Sequence, residues 1–276
     1  MINAVGNRMT REISRQQKLA DQLERTQIQI SSGKKLLRAS DDAVAARRIA
    51  TIGKTQASMT AWAANIDSVQ AQVLQADGVL KSAGNLLTRA RELTLSASSD
   101  TASPADRATI AAELSAIADE LDALAMTRDA NGEPLFAAGT ARVVRFDSDV
   151  SFAPVPSAAD IFVMGGNALS TGLRDAAAAV AAGDSAGMGD ALTALSASVT
   201  HVADQHAALG LSASRLERID DSLKVRGIAI AEERSAIEDT DLSVAIAQLN
   251  AQDLTLSAAQ AAFAKINRQT LFDILN

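Results

Sequence analysis

Few residues in this chain have the type and spacing that chemistry demands. His201 and His206 are its two histidines and stand five residues apart. Paired helical metal ligands need a separation of four, which puts both rings on one face, and no third ligand accompanies these two. They are expected on a helix surface or in a seam. Asp147, Asp149 and Ser151 offer oxygens at alternate positions, but the glycine and closing glutamate of a calcium loop are missing, so a polar turn is expected. Ser31 to Lys35 (SSGKK) lacks the first glycine and the Gly-Lys-Ser/Thr ending of a phosphate loop and reads as a helix stop followed by solvated lysines. Asp41 and Asp42 are adjacent carboxylates, but directly after Ser40 they suit the positive end of a helix dipole better than acid–base work. No nucleophile, base and orienting group occur as a set. The sequence offers no catalytic, cofactor-binding or metal-binding residues, and an enzyme is not expected.

Composition points towards packing. The 276 residues are 47% hydrophobic but only 3% aromatic, with no Tyr and a single Trp, Trp62. Ala, Leu, Ile and Val therefore supply most apolar surface, which suits thin helix–helix seams better than a thick core of rings. Four prolines and 15 glycines leave room for long helices. With no cysteine, disulfides, Cys-ligated zinc and thiol nucleophiles are excluded. A net charge of −7 and a pI near 4.9 argue against nucleic-acid binding. The N-terminus lacks the apolar run of a cleaved signal peptide, and no stretch approaches the ~20 apolar residues of a membrane span. Neither membrane insertion nor a cleaved signal is expected.

The elements follow from steps of three and four between apolar residues. Ile2, Val5, Met9, Leu19, Leu23 and Ile30 share one heptad frame, with Glu12, Gln16 and Thr26 at its remaining core positions. Gly33 is placed to end this helix, and Ser40 to cap the next, with Asp41 and Asp42 in its first turn. The second helix carries Ala45, Ile52, Met59, Ile66, Val73, Leu80 and Leu87 on one column. About 55 residues of helix would run roughly 80 Å. Ser103, Pro104 and Asp106 mark the start of a third helix. It should end at a turn built on Asn131 and Gly132 and followed by Leu135 and Phe136. Between Phe136 and Gly172, β-branched and aromatic residues alternate with turn formers, which predicts two to four short strands. A further stripe runs through Leu195, Val202, Leu209, Leu216, Leu223 and Ile230. After a cap at Thr240 or Asp241, the last helix carries Leu242, Ile246, Leu249, Leu256, Phe263 and Ile274, with Asp253, Gln260 and Asn267 on the same stripe.

The expected fold is mainly α: an elongated antiparallel bundle or coiled coil of long helices with a small β-rich insert. Residues 1–40 and 238–276 are expected to pair as an assembly domain. Residues 41–136 and 173–237 should form a central helical rod, and 137–172 the variable insert. Polar residues at core positions weaken a seam and help to set register or partner. The terminal stripes are therefore expected to be completed by neighbouring subunits, and the apolar residues named on them form the expected assembly interface.

Residues 27–52, QIQISSGKKLLRASDDAVAARRIATI, resemble the N-terminal signature of the bacterial flagellin superfamily, and residues 239–275 resemble its C-terminal helix. Residues 128–139, RDANGEPLFAAG, and the ending QTLFDILN are more similar to the hook–filament junction class (hook-associated protein 3) than to filament flagellins, although an extra Ala displaces the final glycine to Gly139. The resemblance implies a structural flagellar subunit joining hook to filament, exported unfolded through the flagellar type III apparatus. It implies paired terminal helices in an inner tube and the insert outermost. Its implied partners are copies of itself, a hook-side junction protein, flagellin, and an export chaperone on the C-terminal helix. Two alternatives remain: a filament flagellin that polymerises by itself, and a surface protein whose insert binds a polysaccharide through exposed Arg142, Arg145, Phe146, Phe152 and Phe162.

Overall fold

Heptad spacing, few prolines and well-placed caps turn most of the chain into helix. The computed structural model describes residues 2–99 and 102–274, with side chains over 9–99 and 102–265. In chain order the elements are α1 (Ile2–Ser32), α2 (Ala43–Ala97), α3 (Pro104–Ala125), β1 (Val144–Arg145), β2 (Ser151–Phe152), α4 (Ala158–Phe162), β3 (Val163–Met164), β4 (Asn167–Ala168), α5 (Leu169–Ala182), α6 (Ser185–Glu238) and α7 (Leu242–Ile274). The fold is mainly α with two small antiparallel sheets, β1–β2 and β3–β4. Two compact units result: residues 1–56 with 226–276, and residues 57–225. Their boundaries fall inside the long helices α2 and α6.

The unit of residues 57–225 holds the denser core. The column Ile66, Val73, Leu80 and Leu87 and its companion Val69, Ala76, Ala83 and Ala90 are all buried, as the heptad frame of α2 requires. Leu195, Val202, Leu209, Leu216 and Leu223 of α6 are buried as well. Asp77 of α2 meets His206 of α6 at 2.6 Å, and Asp67 lies electrostatically close to Lys224, so the two helices run antiparallel here. The start of α3 is the predicted one. Ser103 Oγ accepts from the Asp106 amide, the Asp106 carboxylate accepts from the Ser103 amide, and Pro104 opens the helix. Arg174 of α5 bridges Asp119 and Asp122 of α3.

The insert carries four short strands, within the predicted two to four. Four two-residue strands and the five-residue α4 are set in loop. Side chains and caps tie these pieces together. Phe146 is fully buried, 4.9 Å from the Phe152 ring, and the Arg215 guanidinium lies 4.1 Å above Phe152. Asn65 of α2 donates to the Arg145 carbonyl at 2.9 Å. A second capping box, Ser157 with Asp160, starts α4, and Phe162 packs edge-on against Phe136. The Asn131–Gly132 turn forms as predicted. Gly132 takes φ +82°, Asp129 Oδ1 accepts from the Asn131 and Glu133 amides, and Leu135 and Phe136 are buried just after it.

Candidate assembly interface

The terminal helices α1 and α7 pack antiparallel within the unit of residues 1–56 and 226–276. On α1 the inward line is Glu12, Gln16, Leu19, Leu23, Thr26 and Ile30, the predicted frame. Only Thr26 is buried, at 3% exposure, and the others are half-buried. Met9, predicted on the same frame, is exposed. Ile2, Val5, Ile274 and Asn267 lie outside the residues whose side chains are described.

The α7 stripe is shifted from the predicted one. Leu249, Leu256 and Phe263 face inward, but the second column consists of Ala245, Gln252 and Ala259. Ile246, Asp253 and Gln260 are exposed, and so is Leu242. Small alanines let two backbones approach, whereas Ile246 would hold them apart, so ranking columns by hydrophobicity selected the wrong neighbour. Gln252 also meets a partner: its side-chain oxygen lies 3.0 Å from Thr26 Oγ1, which also lies 3.0 Å from the Gln22 carbonyl.

The break after α1 is the predicted one at its first residue and different at its last. Gly33 adopts φ +69°, the left-handed turn that ends helices and favours glycine. Ser40 does not cap α2. The helix starts at Ala43, so the cap position belongs to Asp42, whose Oδ1 accepts from the Val44 and Ala45 amides at 2.9 Å each. Asp41 instead accepts from the Arg38 amide within the loop. Asp241 caps α7 in the same way, accepting from the Ser243 and Val244 amides.

The two breaks bond to each other. Lys35 N donates to the Glu238 carbonyl at 2.7 Å, Thr240 N donates to the Gly33 carbonyl at 2.9 Å, and Lys34 pairs antiparallel with Asp239. The Glu238 carboxylate receives Lys34 Nζ on one oxygen and Arg234 Nε on the other. These two hydrogen bonds, with Lys34 the larger influence, hold its carboxyl below the usual glutamate range. Arg48 of α2 forms a two-pronged pair with Glu233 of α6, which lowers the Glu233 carboxyl and raises the Arg48 guanidinium. Sequence reasoning missed Ala245, Gln252, Ala259, Arg234 and Glu238. The alanine column was readable in principle as a small-residue heptad and Arg234–Glu238 as an i,i+4 helical pair, while Lys34–Glu238 and Arg48–Glu233 join segments too distant in sequence for any local signal.

The other expected chemical residues do not converge. His201 is half-buried on α6 with its Nε2 shielded and unbonded, while His206 faces Asp77. Among the described residues no three of His, Asp and Glu gather as metal ligands, and no helix is long and apolar enough to cross a membrane. Phe146 and Phe162, which the polysaccharide-binding alternative needs at the surface, are core residues of the insert.

The bacterial flagellin N-terminal helical region matches residues 2–141, and the bacterial flagellin C-terminal helical region matches residues 192–275. The chain belongs to the bacterial flagellin family. It is therefore a structural component of the extracellular flagellum, in a class that assembles with copies of itself and is not enzymatic. No curated protein sequence matches the chain. A flagellar hook-associated protein of Vibrio parahaemolyticus shares its fold with a TM-score of 0.66 and 16% identity, over 72% of this chain and 100% of that one. Xanthomonas campestris FlgL aligns with a TM-score of 0.56 and 15% identity, over 67% of this chain and 99% of its own.

Proposed function

We propose that this chain joins the flagellar hook to its filament, packing α1 and α7 against the terminal helices of neighbouring subunits. The supporting observation is the thin terminal seam. A narrow seam of mostly half-buried residues, several of them polar, holds α1 to α7, while Met9, Ile13, Ile28, Leu242, Val244, Ile246 and Leu254 remain exposed on the pair. Such a surface gains burial when further helices close around it. The junction role rests on the RDANGEPLF run and the QTLFDILN ending. In this reading residues 1–40 and 238–276 are the assembling part, 41–136 and 173–237 the central rod, and 137–172 the outward insert. The partners are further copies, a hook-side junction protein and flagellin, with an export chaperone covering α7 before secretion.

The second reading, a filament subunit that polymerises alone, draws equally on the flagellin match. Polymerisation of the purified chain with and without hook or filament seeds separates the two. Long filaments formed without seeds would overturn the junction role. Removal of residues 1–30 or 243–276 should leave a soluble helical core that no longer joins seeds. Normal joining by both truncations would contradict the role given to the termini.

A further inference from the structure

The apolar residues of the seam between α1 and α7 do not by themselves dictate how the two helices align. From Ala245 to Phe263 the inward residues of α7 repeat every seven positions, as Ala245–Leu249, Gln252–Leu256 and Ala259–Phe263. A slide by one heptad, about 10 Å at 1.5 Å per residue, exchanges leucine for leucine or phenylalanine and alanine for glutamine. The α1 side is as repetitive, with Gln16, Leu23 and Ile30 on one column and Glu12, Leu19 and Thr26 on the other. Apolar burial therefore separates the registers poorly, and alignment rests on the single Thr26–Gln252 contact and on the joint between the two breaks.

We propose that Glu238 is the positioning residue that aligns α1 with α7, by holding Lys34 of the first break and Arg234 of α6 on one carboxylate. The backbone part of the joint is a single residue pair, and so short a ladder does not hold alone. The Glu238 side chain is only 13% exposed, so its charge is costly unless both cations stay in place. Arg234 also donates to Gln56 Oε1 of α2 at 3.1 Å, so the carboxylate ties the first break, α2 and α6 together. The neighbouring acids are engaged elsewhere. Asp239 accepts from the Ser235 hydroxyl, Glu233 is held by Arg48, Asp41 accepts from Arg38 N, and Asp42 and Asp241 cap helices. Lys35 contributes its backbone amide and carbonyl, the carbonyl accepting from Gln29 Nε2. Among these groups Glu238 is the side chain that spans the two breaks.

The functional weight of this role rests on the assembly reading above, but its test is made on the free subunit. The chain has no cysteine, so spin labels on Ser14→Cys and Gln248→Cys, both exposed, attach cleanly to the full chain, and their offset of about 24 Å along the seam turns an axial slide into a change of distance. At neutral pH the parent should give one narrow distance population by pulsed electron resonance. Glu238→Gln should add a second population displaced by about 10 Å, one heptad, and Lys34→Met should do the same to a smaller extent. Because the folded carboxyl titrates below its usual value of 4.5, the clamp is intact above that value and is lost as pH falls through the folded one. The parent should therefore acquire the second population in acid, while the Glu238→Gln profile stays flat. Glu113→Gln, which removes the exposed partner of Arg89, should leave the distances unchanged. A single narrow population in Glu238→Gln and Lys34→Met at neutral pH would overturn the positioning role. If the truncations abolish seeding while Glu238→Gln stays narrow, the positioning role falls alone. A displaced population supports it whatever the subunit then assembles into.

Discussion

Thr26 and Gln252 meet inside the α1–α7 seam, and replacing them measures what that contact contributes. Thr26 is nearly fully buried, and its Oγ1 stands 3.0 Å from both the Gln22 carbonyl and the Gln252 side-chain oxygen. One hydroxyl proton serves two oxygens, so the two single substitutions are not equivalent. Thr26→Val keeps the shape, strips Gln252 of its partner and turns the half-buried amide towards water, at a cost of about 1 kcal/mol. Gln252→Leu leaves the Thr26 hydroxyl satisfied by Gln22 and adds apolar area to the seam. At about 25 cal/mol per Å2 and roughly 40 Å2, the gain is about 1 kcal/mol. In the double variant position 252 has no amide to be stranded, so the Thr26→Val penalty should vanish. The expected coupling is about 1 kcal/mol. Urea unfolding combined with amide exchange in residues 12–30 and 245–263 reads these values locally. Effects that add to within about 0.3 kcal/mol would show that the interhelical contact contributes nothing. The double variant should also enter seeded assembly more slowly, because its terminal pair is closer to complete in the free subunit.

Leu216 is fully buried in α6, so Leu216→Ala should lose about 2–5 kcal/mol in urea unfolding, whereas the exposed Leu74→Ala should stay within about 0.5 kcal/mol of the parent. Asp42→Ala should cost about 1 kcal/mol and fray the start of α2 in amide exchange, while Ser40→Ala should change little. Asp160 is held below the usual aspartate range chiefly by the Ser157 hydroxyl. The capping box therefore contributes fully above that range and is lost as pH falls through the folded value. Carbon NMR should show the Asp160 midpoint rising in Ser157→Ala, and an unchanged midpoint would contradict the assignment.

The long helices were legible because their signal is local and repeated. The column from Ile52 to Leu87 in α2 and the box of Ser103 and Asp106 need only a few neighbouring residues to be read. The terminal pair was half legible. On α1 the polar core positions Glu12, Gln16 and Thr26 sat where predicted, because Leu19, Leu23 and Ile30 fix the phase of the frame. On α7 two adjacent columns compete, Ile246–Asp253–Gln260 and Ala245–Gln252–Ala259, and the choice depends on how closely α1 approaches. That distance is a tertiary quantity. The cap moved from Ser40 to Asp42 for a smaller reason: three consecutive residues could all cap, and only the backbone tells which of them precedes the first helical one. Glu238 was readable only as the i,i+4 partner of Arg234; its link to Lys34, 204 positions earlier, carried no local signal.

The two seams of this chain share one heptad grammar and differ in what that grammar can bury. In residues 57–225, α2 meets α3 through Arg89 and Glu113 and α6 through Asp77 and His206, so a column of isoleucine, valine and leucine is covered from more than one side. On α1 the equivalent leucines Leu19 and Leu23 face α7 and remain half-exposed. Side-chain type does not explain the difference, because leucine occurs in both seams. The number of helices around the column does. A leucine on a two-helix seam keeps one flank in water, and a third helix is the ordinary way to cover it. Strengthening the seam within the chain would require larger apolar residues at 245, 252 and 259, where the sequence has Ala, Gln and Ala. Those residues keep the pair close and weak, so the missing burial is left to whatever packs against its flanks. In the proposed assembly, that is the terminal pair of the next subunit.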